Sequence, residues 1–223
     1  LKEVGKLKLY LDTAEINLIE KAVASGIISG VTTNPSLLAK AGQKDVAQTI
    51  KAICQLVDGP VSLEVIGLSK DEMVQEAKEY AQIDPRVVIK IPMIHEGLKA
   101  IKELKELGIK TNATLIFSTG QGLLAALAGA DYISPFIGRL DDISAEGLDV
   151  VAELAQIFDL HGIESEIIAA SIRHPRHVIG SALAGAHIAT VPWKIVDQMV
   201  KHPLTDIGLE KFLADWEKMK NQN

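Results

Sequence analysis

The sequence predicts an α/β protein built as a single (β/α)8 barrel, the TIM-barrel architecture, with an extra C-terminal helix. Three observations predict it. Strand and helix signals alternate about eight times, in units averaging about 28 residues. No shift in composition marks a linker, so residues 1–223 read as one domain. The first strand–helix turn, Asp12-Thr13-Ala14-Glu15, has no glycine, whereas the alternative, a doubly wound open sheet, normally has a Gly-rich first turn.

The elements follow in order. Residues 7–13 are expected as the first strand and 14–25 as its helix. Residues 29–33 form a short strand, and Pro35 then sits at a helix start, where its missing N–H costs nothing. A further helix covers 45–57. Gly59-Pro60 is a turn before a strand at 61–66. Ser69-Lys70-Asp71-Glu72 reads as a capping box opening a helix over 71–82. The fourth strand is Val87-Val88-Ile89-Lys90-Ile91-Pro92, β-branched almost throughout. A helix at 96–107 stops at Gly108. Strand 110–115, helix 121–128 and strand 131–136 come next. A long amphipathic helix at 144–161 ends at Gly162. Strand 166–170, helix 175–184 and strand 187–191 complete the barrel, with helices at 193–202 and 205–220 remaining.

Composition narrows the function. A formal net charge of -6 argues against a nucleic-acid surface or an anionic membrane. With 48% hydrophobic but only 4% aromatic residues, the core must be mostly Ile, Leu, Val and Ala. The single cysteine, Cys54, excludes an internal disulfide and a Cys-rich metal site. It falls on the apolar face marked by Ile50, Ile53 and Val57, so a core thiol and a reducing, cytoplasmic setting are expected. Residues 1–6 have two lysines and no apolar run, so no secretory signal is expected there. Residues 111–130 are uncharged over a membrane-spanning length. Asn112, Ser118, Gly120, Gln121 and Gly122 mark them instead as strand, turn and helix.

Lys90 is the first candidate for chemistry. No other charge lies between Val87 and Met93, and such a strand is buried on both faces of a helix-covered parallel sheet. Burial favours the neutral amine, which is a nucleophile toward carbonyls in Schiff-base chemistry. The plainer reading of Lys90 alone is a strand-end lysine reaching to water. Other strand ends add weight, because barrel active sites form at the C-terminal ends of strands. Asp12 ends the first strand, Thr33 and Asn34 the second. Glu64 lies near the end of the third. Asn112 and Thr114 share a face of the fifth, Ser134 and Phe136 a face of the sixth, and Ser171 follows the seventh. Caps are the alternative for Asp12 and Asn34.

The cluster suits a reaction needing neither metal nor cofactor. Lys90 attacks a ketone to give a carbinolamine and then an iminium, whose electron-withdrawing character lets the adjacent C–C bond break. Asp12 or Glu64 can be the base, and the other can handle the water lost and regained. Arg139 and Arg173 follow the sixth and seventh strands, where barrels bind phosphate; surface ion pairs are the alternative. His174 and His177 are three residues apart, but no third ligand has suitable spacing, so no metal site is expected. His161 and His202 read as structural residues near helix C-termini.

Several segments together resemble the transaldolase family. They are Leu9-Tyr10-Leu11-Asp12-Thr13, Gly30-Val31-Thr32-Thr33-Asn34-Pro35-Ser36-Leu37, Val88-Ile89-Lys90-Ile91-Pro92, Asn112-Ala113-Thr114-Leu115, Ser134-Pro135-Phe136-Ile137-Gly138-Arg139 and Ala169-Ala170-Ser171-Ile172-Arg173. The length fits the short-subunit branch, which includes fructose-6-phosphate aldolases. The resemblance implies transfer of dihydroxyacetone from sedoheptulose 7-phosphate or fructose 6-phosphate to glyceraldehyde 3-phosphate or erythrose 4-phosphate, in the pentose phosphate shunt. It implies Lys90 as the Schiff-base lysine, Asp12 as acid/base, and Glu64 acting through a water held by Thr114. Thr33, Asn34 and Asn112 would serve the sugar hydroxyls, and Ser134, Arg139, Ser171 and Arg173 its far end and phosphate. Aldolase members carry Tyr where this chain has Phe136 and Gln where it has Glu64, so both positions favour the transferase. A different Schiff-base barrel aldolase and a non-catalytic phosphosugar-binding barrel remain alternatives. The helix at 205–220 has Leu209, Phe212, Leu213, Trp216 and Met219 along one face. The resemblance implies a homo-oligomer, two five-membered rings forming a decamer, with this helix on a neighbour.

Overall fold

The computed structural model describes residues 7–42 and 45–221. Residues 1–6, for which no signal is expected, lie outside these. Eight parallel strands close into a barrel in sequence order: β1 (Lys8–Asp12), β2 (Ile28–Thr32), β3 (Val61–Glu64), β4 (Val87–Pro92), β5 (Thr111–Ile116), β6 (Tyr132–Pro135), β7 (Glu166–Ala169) and β8 (Ile188–Val191). The helices between them are α1 (Ile16–Ala24), α2 (Pro35–Lys40) and α3 (Val46–Leu56), α4 (Lys70–Ala81), α5 (His95–Glu106), α6 (Thr119–Leu127), α7 (Ile137–Asp141) and α8 (Gly147–His161), and α9 (Pro175–Leu183). After β8 come α10 (Trp193–Val200) and α11 (Pro203–Lys220).

Local chemistry sets the boundaries. The Ser69 hydroxyl accepts from the Glu72 amide and the Glu72 carboxylate accepts from the Ser69 amide, so the capping box forms. Asn34 caps α2, with Pro35 in its first turn. Gly108 and Gly162 take left-handed conformations just past α5 and α8, which glycine adopts without a Cβ clash. Residues 111–130 fall into β5, a turn and α6, and no described helix is long and apolar enough to cross a membrane.

Side chains alternate across each strand, giving the barrel two cores. Leu11, Val31, Leu63, Ile89, Ile91, Ala113 and Ile133 point outward and pack, essentially unexposed, against the helices. Cys54 lies in that layer, and burial pushes its thiol up to about 11. A second cluster, Tyr10, Val88, Tyr132, Ile168 and Ile188, fills the barrel interior. Gly30 belongs to this layer, because a Cβ there would stand 2.6 Å from the Tyr10 ring. The next inward positions toward the strand C-termini are polar on seven strands, Asp12, Thr32, Ser62, Lys90, Asn112, Ser134 and Thr190, with Ala170 the apolar exception after β7. A closed apolar floor therefore lies beneath a polar rung, which places the chemistry at the C-terminal mouth.

One expectation is corrected. The helix expected at 144–161 starts only at Gly147, as α8, and a separate five-residue helix, α7 at Ile137–Asp141, stands before it where none was expected. Five residues are too few to show helical periodicity. His202 lies near a helix C-terminus as expected, two residues past the end of α10, and it is also the N-cap of α11, where its Nδ1 accepts from the Leu204 amide.

Candidate active site

Strand register builds the centre of the site. Glu64 on β3 lies beside Lys90 on β4, and Lys90 beside Asn112 on β5. Lys90 is 5% exposed. Its Nζ donates to Glu64 Oε2 at 2.9 Å and to the Thr33 carbonyl at 3.2 Å. The setting that looks uncharged along β4 is thus ion-paired across the sheet, a neighbour that only strand pairing reveals. Glu64 contacts the amine directly, so a proton can pass between them without an intervening water.

Asp12 does not cap α1. Its Oδ1 accepts from the Thr32 hydroxyl at 2.8 Å, and Thr32 Oγ1 is 2.5 Å from Thr190 Oγ1. With the Thr32 proton committed to the carboxylate, Thr190 must donate, giving a relay from β8 through β2 to β1. Asp12 binds its proton more tightly than an ordinary carboxylate. Burial is the main cause, opposed by the Lys90 charge and the Thr32 hydrogen bond, with Glu64 adding to the upward push.

The pair Thr32-Thr33 splits differently from the expectation. Thr33 is fully buried, and its hydroxyl donates to the Ser62 carbonyl at 2.7 Å. It reaches the site through its own carbonyl on Lys90. Thr32 is the one facing the cavity. Strand parity from Gly30 would have pointed to Thr32, and parity from Tyr10 with the β1–β8 pairing to Thr190.

Asn112 is fully buried. Its Oδ1 accepts from Ser134 at 2.7 Å and its Nδ2 donates to Ser62 at 3.3 Å. It therefore orders the rung from behind instead of lining the cavity. Thr114 is equally buried, and its hydroxyl has no hydrogen-bond partner. The next residue, Leu115, has φ 57°, and the β5–β6 register shifts there. A bulge of this kind re-aims a side chain at the cost of local strain.

A cavity of about 190 Å³ opens over the rung. Asp12, Thr32, Asn34, Lys90, Ser134, Phe136 and Thr190 line it, together with Arg139, Ser171 and Arg173. Asn34 already spends its side-chain oxygen on the Leu37 amide at 2.9 Å, leaving its NH2 donors. Phe136 packs edge-on against Phe117, ring centroids 5.8 Å apart, and Arg139 lies over its ring at 5.1 Å. The unexpected α7 brings the arginines together. The Ile137 amide donates to the Ala170 carbonyl at 3.1 Å. A Cβ on Gly138 would fall 1.9 Å from the Ser171 carbonyl oxygen, so only glycine allows this approach. Ser171 itself takes a left-handed φ of 60°. Arg139 and Arg173 are both exposed, and Arg173 Nη2 contacts Asp142 at 3.1 Å.

The structure also supplies a third polar group at the histidines. Asp141, from the end of α7, meets His177 at 2.7 Å, with the His174 ring 3.7 Å from that of His177. Spacing along the chain cannot show this, because Asp141 comes from another βα unit.

The protein is thus a parallel barrel with a buried lysine–carboxylate pair and a second carboxylate at its C-terminal mouth. Solved structures of low identity share the barrel, including thiamine phosphate pyrophosphorylase from Pyrococcus furiosus (TM-score 0.58, 16% identity, 84% of this chain and 86% of that one). That likeness shows the fold alone. Residues 9–223 match the family Transaldolase/Fructose-6-phosphate aldolase. A probable transaldolase of Bacillus anthracis is 58% identical over 97% of this chain and 100% of the relative. One from Moorella thermoacetica is 57% identical and one from Clostridium perfringens 55%, at the same coverage. The chain belongs to the transaldolase/fructose-6-phosphate aldolase family.

Proposed function

We propose that the protein is a transaldolase that carries a dihydroxyacetone unit on Lys90 from a ketose phosphate to an aldose phosphate. The observation that carries this reading is the buried Lys90 amine, held by Glu64 and opening on the cavity that Asp12 lines. Glu64 takes the ammonium proton, and the free amine attacks the ketone carbon to give a carbinolamine. Glu64 returns the proton to the departing hydroxyl, water leaves, and an iminium forms. The unpartnered Thr114 hydroxyl is a holder for that water. Asp12 then removes the proton of the hydroxyl beyond the scissile bond. The C–C electron pair moves into the iminium, leaving an enamine on Lys90 and releasing the aldose phosphate. The tight proton binding that burial gives Asp12 makes it a stronger base than a surface carboxylate. An acceptor aldehyde reverses the steps.

Phe136 bears on transfer against simple cleavage. It offers no hydroxyl to hold a water against the enamine, and its partners are Phe117 and the face under Arg139. The enamine then waits for an aldehyde. Arg139, Arg173 and Ser171 serve the phosphate end, Asn34 and Ser134 the hydroxyls, and Asn112 holds Ser134. A coupled assay of transfer from fructose 6-phosphate to erythrose 4-phosphate tests the reading. Sedoheptulose 7-phosphate should form only with the acceptor present. Equal release of free dihydroxyacetone without acceptor would assign the aldolase activity instead.

The assembly proposal rests on α11. No residue of this 18-residue helix is buried, and Leu204, Ile207, Leu209, Phe212, Leu213, Trp216 and Met219 are all exposed. We infer that it lies against a neighbouring copy in a homo-oligomer, in line with the ringed decamer that the family resemblance implies. Aromatic residues of this kind anchor interfaces.

A further inference from the structure

Asp141, His174 and His177 have ligand atoms within 4.8 Å of one another, a set that suits a divalent cation. The bonding of His177 points to a different use. Its Nδ1 accepts from the backbone N–H of Arg173 at 3.2 Å. A neutral imidazole that accepts at one nitrogen carries its proton on the other. That proton, on Nε2, faces Asp141 Oδ2 at 2.7 Å. Nε2 then has no free lone pair for a metal.

We propose that His177, locked in this tautomer by Asp141, is a positioning residue for the anion-binding end of the cavity. The proposal rests on the reading that Arg139 and Arg173 receive the substrate phosphate. Asp141 is itself oriented, because its other oxygen accepts from the Gly147 amide at 3.0 Å. His177 is 3% exposed, with the His174 ring tilted against it at 3.7 Å between centroids, so its ring is held in place. The bonds run from the start of α8, through the end of α7, to the first turn of α9 and back to the Arg173 backbone. Arg139 rides on α7 and Arg173 on the β7–α9 loop, so this path sets the spacing of the two guanidinium groups. Asp142, the next residue, holds the Arg173 side chain at 3.1 Å. Consecutive aspartates thus fix Arg173 at both ends, one through His177 and one directly. Because His177 does not line the cavity, its effect on substrate must pass through Arg173.

Two substitutions separate the two bonds. In His177→Asn the side-chain oxygen stands near the Nδ1 position and keeps an acceptor for Arg173. In His177→Gln the amide reaches the Nε2 position and keeps a donor for Asp141 but leaves the Arg173 N–H unmatched. The readouts are KM and kcat for fructose 6-phosphate and for unphosphorylated fructose, and inhibition by inorganic phosphate. Losing one neutral hydrogen bond predicts that His177→Gln raises KM for the phosphorylated donor and the phosphate inhibition constant about five- to tenfold. The kcat and the unphosphorylated reaction should stay within about twofold, and His177→Asn, which keeps the Arg173 bond and loses the one to Asp141, should fall between the wild type and His177→Gln. Asp141→Ala, at an exposed position, frees His177 to carry its proton on Nδ1 against the Arg173 N–H, so it should raise the same two constants as His177→Gln and carries the test if that variant does not fold. Equal losses with both donors, or identical behaviour of the Asn and Gln variants, would overturn the proposal while leaving the phosphate site intact. A wild-type enzyme indifferent to phosphate would overturn both. Saturable Zn²⁺ binding that His177→Gln abolishes would show that the metal reading is correct.

Discussion

Glu64→Ala removes one half of a buried ion pair and leaves the other half in place. Lys90 is 6% exposed at its side chain and Glu64 15%, so the stranded ammonium has little access to water. Breaking such a pair costs about 3–5 kcal/mol. The Thr33 carbonyl still accepts from Nζ at 3.2 Å, and the amine borders a cavity, so the low end, about 3 kcal/mol, applies. For a barrel of this size each kcal/mol moves the melting temperature by about 2–4 °C. A fall of about 6–12 °C is therefore expected. Lys90→Met added to Glu64→Ala removes the orphaned charge and fills part of the space with an apolar chain. The double variant should recover about 2 kcal/mol or more over Glu64→Ala, because an apolar replacement of a buried pair is close to neutral. Denaturant and thermal unfolding of the wild type, Glu64→Ala, Lys90→Met and the double variant, at one protein concentration, give the coupling. Losses that simply add would mean that the pair is not energetically coupled and that the burial argument fails.

Asp12→Asn should abolish transfer but raise the melting temperature. A carboxylate whose proton affinity is raised by folding adds stability only at low pH and loses it as pH rises through its folded value, so its charge opposes folding at neutral pH; an unchanged or lower melting temperature would contradict this. For the same reason Thr32→Val, which deletes the hydrogen bond stabilising the charge, should move the acid limb of the kcat/KM profile to higher pH, and a downward move would refute the relay. Phe136→Tyr should increase free dihydroxyacetone relative to transfer, measured with and without an aldose acceptor, and a constant ratio would place partitioning elsewhere. Truncation after His202, or Trp216→Glu with Phe212→Glu, should give smaller species by sedimentation or light scattering. A wild-type monomer at micromolar concentration would refute the α11 proposal.

The barrel was legible because each βα unit announces itself locally, through apolar runs, the Ser69 capping box, Pro35, and glycines such as Gly108 and Gly162. What sequence could not show depends on pairing between units. The ion pair of Lys90 with Glu64 is a product of strand register. Thr32 was hidden beside Thr33 because a one-residue change of parity moves a side chain to the opposite face of a strand. Thr190 carried no motif and matters through the β1–β8 closure. Asp141 and His177 meet because α7, too short to leave a periodic signal, folds over the β7–α9 loop. Asn112 and Thr114 were found by parity, but their roles differ: one is held at both ends of its amide by Ser62 and Ser134, the other left unpartnered beside a bulge no pattern announces.

The most direct test of the account is reductive trapping. Borohydride added with fructose 6-phosphate should fix a reduced three-carbon fragment to the protein, and peptide mass spectrometry should find it on Lys90 alone, with none in Lys90→Met. Label on another lysine, no label on an active wild-type enzyme, or undiminished transfer by Lys90→Met would contradict the account.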